Sequence, residues 1–483
     1  MVHCETSNFA SNAITSILFV FIASVAYTIW LTIYRLYFSP ISHIPGPKLA
    51  AASWWYEFYF QVIKGGQYFK KIAKLHEQYS PIVRITPLEV HIDDPEFVDT
   101  IYTNAERRDK TPWHKNAFSS DTSAFATADH DLHRTRRATL NPYFSKSQIR
   151  KFAPWIQERA NMLCRRFQEE YKGTDNVLTI NEAFSCLTAD SVMEYSFADL
   201  HIATNFPILI QLQIFILPRS FVTWLDPTSK IIFAWLNNVE RHVDDVVKGS
   251  QKHQDVNHAT IFSEILQSKR PPQENSKERL FNEAQTVVSA GVETTAWTMS
   301  VTFFHLLNNP EIMQKLNKEI EEAWTDPDVP LDLPTLEALP YLTAVIQEGL
   351  RMAYRGAARL PRISPDKDIP YTIPSASSCT TTKTVFPSSH TFAPERGLAS
   401  PPPHLRNGKE SPLSRYMISF SKGSRNCLGM QLAYAELYIT LANVVRKNKF
   451  VLWETGLEDV VADREFLLAR PKEGSLGIRV KVV

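Results

Sequence analysis

The amino-acid sequence predicts a mainly α-helical fold with small β-sheets. Helical hydrophobic patterns cover most of the chain, and strand-like alternation is confined to short runs such as Ile82–Ile92. The 483 residues, of which 44% are hydrophobic and 21% charged, suffice for a large core. Because no second linker interrupts the chain after Lys48, we expect residues 48–483 to form one domain.

The first predicted element is a membrane-spanning helix. Residues 13–34 read AITSILFVFIASVAYTIWLTIY, an uncharged run of 22 residues that is long enough to cross a bilayer, and the tail 1–12 contains a single acid. Arg35 follows directly, and aromatic residues gather at that end. These features favour an uncleaved single-pass anchor, with the rest of the chain in the cytosol, over a buried core helix. The prolines of residues 35–47 then predict a stiff hinge.

Six helices are predicted after the hinge. Two of them open with a proline, which is favoured in the first turn because its missing N–H has no helical partner there. The predicted helices are Gln67–Gln78, Ser145–Tyr171, Lys277–Leu307, Pro310–Trp324, Pro340–Met352 and Leu428–Lys447.

Charge and cysteine content exclude several classes of function. A formal net charge of +1 gives no global basic field, so we expect no nucleic-acid partner. The five cysteines are odd in number and contain no CxxC pair, which argues against a disulfide framework or a structural zinc site. Cys164 and Cys186 lie in helical patterns and are predicted to be buried free thiols.

The stretch FSKGSRNCLG, which ends just before a predicted helix, is the strongest chemical motif. A thiolate at Cys427 would be a soft ligand suited to iron, and the start of a helix would stabilise its charge. Gly423 and Gly429 would permit close approach of a flat cofactor, and Arg425 could pair with an anionic group. Phe420 could pack near the sulfur and exclude water. The alternative is a structural cysteine in a glycine-rich turn.

This stretch resembles the haem-ligand loop of the cytochrome P-450 family, the haem-thiolate monooxygenases. The resemblance extends over nearly the whole chain, and it implies the P-450 fold and haem b with Cys427 as the axial iron ligand. It also implies electrons from NADPH through a separate flavoprotein reductase, because the chain has no dinucleotide-binding motif of its own. Lys422 and Arg425 could steer an acidic reductase, although Lys422 could equally be ordinary surface.

The stretch AGVETT, in the middle of the long predicted helix, fits the same family. Thr294 can donate to the carbonyl of Ala290 four residues earlier and open the helix locally. The resemblance gives Glu293 and Thr294 the catalytic role of delivering protons during oxygen activation. Packing of two helices through small residues is the alternative interpretation.

Two further groups of residues follow the family pattern. Glu348 and Arg351 of QEGLR are one helical turn apart and can pair, and the resemblance adds Arg396 of FAPER as the third member of a structural triad. Anionic haem propionates call for basic partners. The resemblance assigns this role to four residues, although a solvated basic face is the alternative for the first: His133, Arg137, Arg362 and Arg425.

The substrate is predicted only by class. The resemblance is to fungal microsomal members, including oxidisers of terpenes such as trichodiene, and implies an endoplasmic reticulum membrane location and a small apolar substrate. Ala290, Thr294, Ala357, Ala358 and Arg359 are the predicted pocket residues. Arg359 could pair with a substrate carboxylate or point to solvent.

Two stretches depart from the family pattern, and two other functions stay open. Residues 373–392 lack the expected strand, and residues 197–235 are short for the helices that roof the pocket. They leave room for a non-catalytic remnant with impaired haem binding. A haem-thiolate isomerase or dehydratase that needs no reductase is the other alternative, and the Glu293–Thr294 pair argues against it.

Overall fold

The computed structural model describes residues 2–79, 81–111, 120–197, 229–248, 261–267, 272–353, 359–371, 385–406, 413–465 and 468–483. Most of the atypical stretch 373–392 and of the short stretch 197–235 therefore lies outside the described residues, as do Ala357 and Ala358. The chain divides into two compact units. The smaller unit comprises residues 1–94, 371–381 and 464–466, and the larger unit comprises the rest.

The smaller unit begins with the apolar helix. Helix α1 (Val2–Ile33) continues into a π-helical segment, and Ile14–Phe38 is long and apolar enough to cross a membrane. Three short helices and an antiparallel strand pair follow: α2 (Lys48–Ala52), α3 (Trp55–Phe58), α4 (Tyr68–Tyr79), β1 (Ile82–Arg84) and β2 (Val90–Ile92). The buried side chains of α4 pack on those of β1, so this unit has a small core of its own.

The larger unit is built mainly from helices. In chain order they are α5 (Val98–Ile101), α6 (His130–Leu140), α7 (Lys146–Glu170), α8 (Ile180–Phe197), α9 (Ser229–Val247), α10 (Ile261–Gln267), α11 (Lys277–Leu307), α12 (Pro310–Ala323), α13 (Leu333–Glu337), α14 (Pro340–Ala353) and α15 (Met430–Lys447). Local signals start several of them: the side chains of Asp129, Ser276 and Asp332 accept hydrogen bonds from the first turns of α6, α11 and α13.

Strands are few and short. In the larger unit, β3 (Leu178–Thr179), β7 (Arg479–Val482) and β4 (Phe450–Leu452) form an antiparallel sheet in that order, with Leu178 opposite Val480. The remaining strands are β5 (Arg464–Glu465) and β6 (Ala469–Arg470). The mainly α-helical class predicted from the sequence is confirmed.

Helix α11 runs through the centre of the main core. It packs against α8, α14 and α15, and most of its side chains from Val292 onward are buried. Gly291 permits the approach of α8, since a Cβ there would lie 2.9 Å from a methyl carbon of Val192. Phe303 adds edge-on ring contacts to Phe184 and Phe450 at 5.9 and 5.2 Å. The helix that carries the AGVETT stretch is therefore held rigidly from several sides.

Candidate functional site

The FSKGSRNCLG loop is a tight turn that leads into α15. The backbone N–H of Cys427 donates to the carbonyl of Phe420 at 2.8 Å, which closes the loop. Gly423 has a φ of +71°, and a Cβ there would lie 2.5 Å from the carbonyl oxygen of Tyr102, so both the turn and the close approach require glycine. The ring of Phe420 packs against Tyr434 with centroids 5.1 Å apart. The loop thus has one defined conformation.

The side chain of Cys427 is accessible although much of the protein surrounds it. Burial is the largest influence on the thiol and raises its pKa. The Gly429 backbone N–H and the Arg137 charge act in the opposite direction and favour the thiolate. No heavy atom lies within 4 Å of where a Cβ of Gly429 would be. The loop therefore borders open space at Gly429, two residues after Cys427.

The structure brings together the four basic residues predicted to bind carboxylates. Arg137 and Arg425 both act electrostatically on His133, and Arg362 acts on Arg425. Burial and these neighbours lower the pKa of Arg425 to about 10 and that of His133 to about 2, while burial lowers the pKa of Arg137 and of Arg362. His133 is therefore neutral at physiological pH, and the three guanidinium groups form a cluster of like charge.

Uncharged carbonyl oxygens, from the backbone and from the Asn426 side chain, orient the arginines. Arg425 donates to the carbonyls of Thr127 and Ala128 at 2.5 and 2.6 Å, and Arg137 donates to Oδ1 of Asn426 at 2.8 Å. Arg362 donates to the carbonyl of its near neighbour Leu360 at 3.0 Å, and its guanidinium lies over the ring of Tyr102. These carbonyls fix the guanidinium groups in place but carry no formal charge to offset them.

Lys110 is a fifth basic group in this cluster, and the sequence analysis missed it. Its side chain is 4% exposed, and its ammonium lies 3.7 Å from the ring centroid of Phe125 and donates to the carbonyl of that residue. Burial, followed by the charges of Arg425 and Arg362, lowers its pKa well below the usual lysine value. In sequence it stands in the run ERRDK, which looks like ordinary surface charge, so no local signal distinguishes it.

The cluster fits an anionic cofactor. Among the described residues, Nε of Arg425 and Nδ1 of His133 are buried without a hydrogen-bond partner. Two acids, Asp109 and Asp129, favour the charged form of Arg425. The basic groups of the cluster number four besides His133: Lys110, Arg137, Arg362 and Arg425. A surplus of buried positive charge is costly unless it is paired. Carboxylates of a ligand near Cys427 would supply that pairing.

The long helix opens a polar notch on its own face. Thr294 Oγ1 donates to the carbonyl of Ala290 at 2.9 Å, as the sequence predicted. Ala290 is exposed, and Glu293 and Thr294 are half-buried, although the helix is otherwise central to the core. Acid and hydroxyl groups thus border an accessible space in an apolar helix.

The predicted structural triad is assembled. Arg351 donates to both carboxylate oxygens of Glu348 at 2.8 Å, and Nε of Arg396 lies 3.4 Å from Oε1 of Glu348. The two arginines also donate to the carbonyls of Ser389 and Pro387, at 2.6 and 2.7 Å. A buried carboxylate therefore gathers the chain around residues 387–396.

Arg359 and Lys422, two residues singled out in the sequence, interact with other groups of the protein. Arg359 is half-buried and already has an interaction partner. Lys422 donates to Asp99 at 2.8 Å, and this bond is the main reason that the pKa of Asp99 is lowered. Lys422 is therefore neutralised in part rather than presented as an isolated charge.

Comparison with known proteins decides the family. Residues 47–476 match the model of the family described as cytochrome P-450. The chain belongs to the cytochrome P-450 family. It is 38% identical to the cytochrome P-450 monooxygenase MO6277 of Ascocoryne sarcoides over 93% of this chain and 95% of that protein. It is 35% identical to the cytochrome P-450 monooxygenase TRI4 of Fusarium sporotrichioides, over 95% of both chains.

The name of a third relative includes its substrate. The chain is 35% identical to tryptophan 6-hydroxylase fscE of Fusarium equiseti over 94% of both proteins. Membership in the family makes this P-450 an oxidoreductase of the monooxygenase type, with haem bound through a cysteine thiolate and electrons supplied by a reductase. The predicted resemblance to fungal members is confirmed.

Proposed function

We propose that the protein is a membrane-anchored monooxygenase that oxidises a small, mostly apolar molecule in fungal secondary metabolism, with Cys427 as the haem ligand. The observation that supports this most is the accessible Cys427 thiol next to a cluster of buried basic groups. Haem, when bound, supplies activation of molecular oxygen. The apolar helix Ile14–Phe38 supports anchoring, in our proposal to the endoplasmic reticulum with the rest of the chain cytosolic.

In this proposal the residues around Cys427 would hold the haem. Cys427 would provide the thiolate, favoured by the Gly429 N–H and by Arg137. Arg137, Arg362 and Arg425 would pair with the two propionates, and neutral His133 would donate a hydrogen bond from a ring nitrogen. In this proposal Phe420, with its ring against Tyr434, limits water near the sulfur. Gly423 lets the loop turn close to the backbone of Tyr102, and Gly429 leaves open space for the ring system.

Glu293 and Thr294 would deliver protons for oxygen activation. The hydroxyl hydrogen of Thr294 is committed to the carbonyl of Ala290, so its oxygen is free to accept a hydrogen bond from a donor in the notch. Glu293, the half-buried residue just before Thr294, can take a proton from solvent and pass it towards Thr294. The pair can therefore renew a proton at the notch from solvent that reaches Ala290.

We propose that the two electrons come from NADPH through a separate flavoprotein reductase. Because Lys422 is paired with Asp99, the cysteine loop offers the reductase fewer free charges than the sequence suggests. For the substrate, the name of the relative fscE points to an indole compound, whereas our prediction from sequence favours a terpenoid. In our proposal the substrate pocket is bordered by Ala290, Thr294, Ala357, Ala358 and Arg359. Arg359 already has an interaction of its own.

The deciding experiment is the carbon-monoxide difference spectrum of the reduced full-length protein. The parent should show the thiolate-type Soret band, and Cys427→Ala should lose it. Cys186→Ala is the matched control, because Cys186 is a half-buried thiol elsewhere in the fold. An imidazole-type band or no haem in the parent would support the remnant interpretation. Turnover that does not require NADPH would support the isomerase or dehydratase.

A further inference from the structure

A buried carboxyl group joins three helices behind the polar notch. Glu436 lies on α15, nine residues after Cys427, and its side chain is 1% exposed. Its hydrogen-bond partners are the hydroxyls of Ser191 on α8 and Thr295 on α11. Thr295 directly follows Thr294. A contact at Glu436 therefore reaches the backbone segment that carries the proposed proton-delivering residues.

The neighbouring hydroxyl groups can accommodate a protonated carboxyl group. Ser191 Oγ already donates its hydrogen to the carbonyl of Leu187 at 2.9 Å. A protonated Glu436 can donate to Ser191 while Ser191 keeps its bond to Leu187, whereas a charged Glu436 would need the Ser191 hydrogen for itself. Thr295 can donate to the same group from the other side. The hydroxyl–acid–hydroxyl chain thus runs from α11 through α15 to α8.

The surroundings agree with a neutral acid. Burial raises the pKa of Glu436 well above its usual value, and no charged group from any part of the chain that the structure describes acts on it. The facing groups on α8 and α11 are hydroxyls. Its Oε1 has no hydrogen-bond partner among the described residues, which a charged carboxylate would tolerate poorly.

A second bond holds the same turn of α11. Thr188 Oγ1, one turn before Ser191 on α8, lies 2.9 Å from the carbonyl oxygen of Val292, nearer than to the carbonyls of Phe184 and Ser185 on its own helix. Val292 and Thr295 lie on either side of Glu293 and Thr294 in sequence. The rear of the notch is therefore fixed at two points, and Glu436 supplies the one that links it to the helix following the cysteine loop.

We propose that Glu436 is a positioning residue, a neutral carboxylic acid that fixes the Glu293–Thr294 turn relative to the helix that follows Cys427. This inference rests on the proposed function for its catalytic consequence, although the protonation state can be tested without turnover. Glutamine can reproduce both hydrogen bonds of a neutral acid, and leucine has a similar volume but can make neither.

The first test is the pH dependence of thermal unfolding in the parent and in Glu436→Gln. The unfolded carboxyl loses its proton near pH 4.5, the ordinary value, while the folded one keeps it. The parent should therefore lose stability as the pH rises above that value, and the melting temperature of the glutamine variant should rise relative to the parent. A difference between the two that stays constant from pH 5 to pH 9 would show a charged Glu436 and overturn the proposal.

The second test is the product formed per NADPH consumed. We expect Glu436→Gln to stay within about twofold of the parent and Glu436→Leu to fall about tenfold, the loss typical of a removed buried hydrogen-bond partner, with the thiolate-type spectrum retained. Thr440→Val is the matched control, because that hydroxyl is equally buried one turn further along α15. Equal coupling in Glu436→Leu and Thr440→Val would refute positioning.

A third variant keeps the coupling test informative if Glu436→Leu fails to fold. Thr295→Val removes the same contact from α11 and should lower coupling like Glu436→Leu, and the double variant should lose no more than either. Additive losses would count against a shared contact. If the parent itself lacked the thiolate-type spectrum, the proposed function would fail, while the unfolding test would still report on Glu436.

Discussion

A methyl group at Gly349 would lie 1.9 Å from Oγ1 of Thr302. Gly349 is on α14, between the two members of the Glu348–Arg351 pair, and Thr302 is on α11. The hydroxyl of Thr302 is itself bonded to the carbonyl of Thr298 at 2.7 Å. Since that bond holds the threonine side chain in one rotamer, the glycine sets how closely the two central helices approach.

Gly349→Ala should therefore destabilise the fold. We expect the free energy of unfolding to fall by about 2 kcal/mol, as is typical of overpacking a tight core, measured by chemical or thermal unfolding. Adding Thr302→Ala should recover part of the loss. Gly397→Ala is the control, because a Cβ there would meet the Cβ of Ala344 at an ordinary 3.5 Å. Equal stability of the two single variants would contradict the argument.

His305 should make stability depend on pH. Its ring lies parallel to that of Phe392, with centroids 4.8 Å apart, and burial is the main reason that its pKa is lowered from 6.5 to about 4. Glu348 raises this pKa and Arg351 lowers it. The folded protein therefore binds fewer protons than the unfolded chain between these two values, and stability is lost as the pH falls from 6.5 towards 4.

Replacing His305 by phenylalanine should flatten that dependence and keep the stacking. On going from pH 7 to pH 5, the parent should lose about 2 kcal/mol more than His305→Phe in free energy of unfolding, because pH 5 lies about 1.5 units below the unfolded pKa. The exposed His404 is the control site, and His404→Gln should follow the parent curve. Parallel curves for His305→Phe and the parent would show that His305 is not held neutral.

The sequence predicted the long elements better than the short ones. Helix Lys277–Leu307 has the bounds expected, because Ser276 caps it and a long apolar pattern fills it. The last helix begins at Met430 rather than Leu428, since the cysteine loop continues through a turn. Strands of two residues, such as Leu178–Thr179, carry no alternation, and their pairing with Val480 depends on contacts far apart in sequence.

The residues of the candidate site could likewise be predicted only in part from the sequence. Residues that sit in dense local motifs, such as Cys427 and Thr294, could be singled out by pattern. Lys110 could not, because a lysine in a charged run becomes informative only when the fold buries it. For Glu436 a weak signal exists, an acid inside the apolar helical run LAYAELYITLA, and a search for charges in such runs would have found it.

Lys110→Met should weaken retention of the cofactor. The substitution keeps the length of the side chain but removes one buried cation from the group around Arg425. We expect release of haem to apomyoglobin to become about tenfold faster, in line with the loss of a charge-assisted contact to a carboxylate. Lys367→Met, which removes an exposed lysine, is the control. An unchanged release rate would place Lys110 outside the cofactor's reach.

Thr294→Val should separate proton delivery from binding. The change removes the hydroxyl and its bond to Ala290 but keeps the shape of the side chain, so the carbon-monoxide spectrum should stay thiolate-type. Product per NADPH should fall about tenfold and peroxide release should rise, because a positioned group in a proton-transfer chain contributes at least that much to rate. Thr294→Ser should restore most of the coupling.

Thr298→Val is the matched control for this prediction. Thr298 makes the same kind of bond one turn later, from its Oγ1 to the carbonyl of Thr294 at 2.9 Å, and is also largely removed from solvent. Loss of that hydroxyl perturbs the helix without emptying the notch beside Ala290. If both valine variants uncoupled to the same extent, the effect would come from helix geometry in general, and the proton role of Thr294 would have no support.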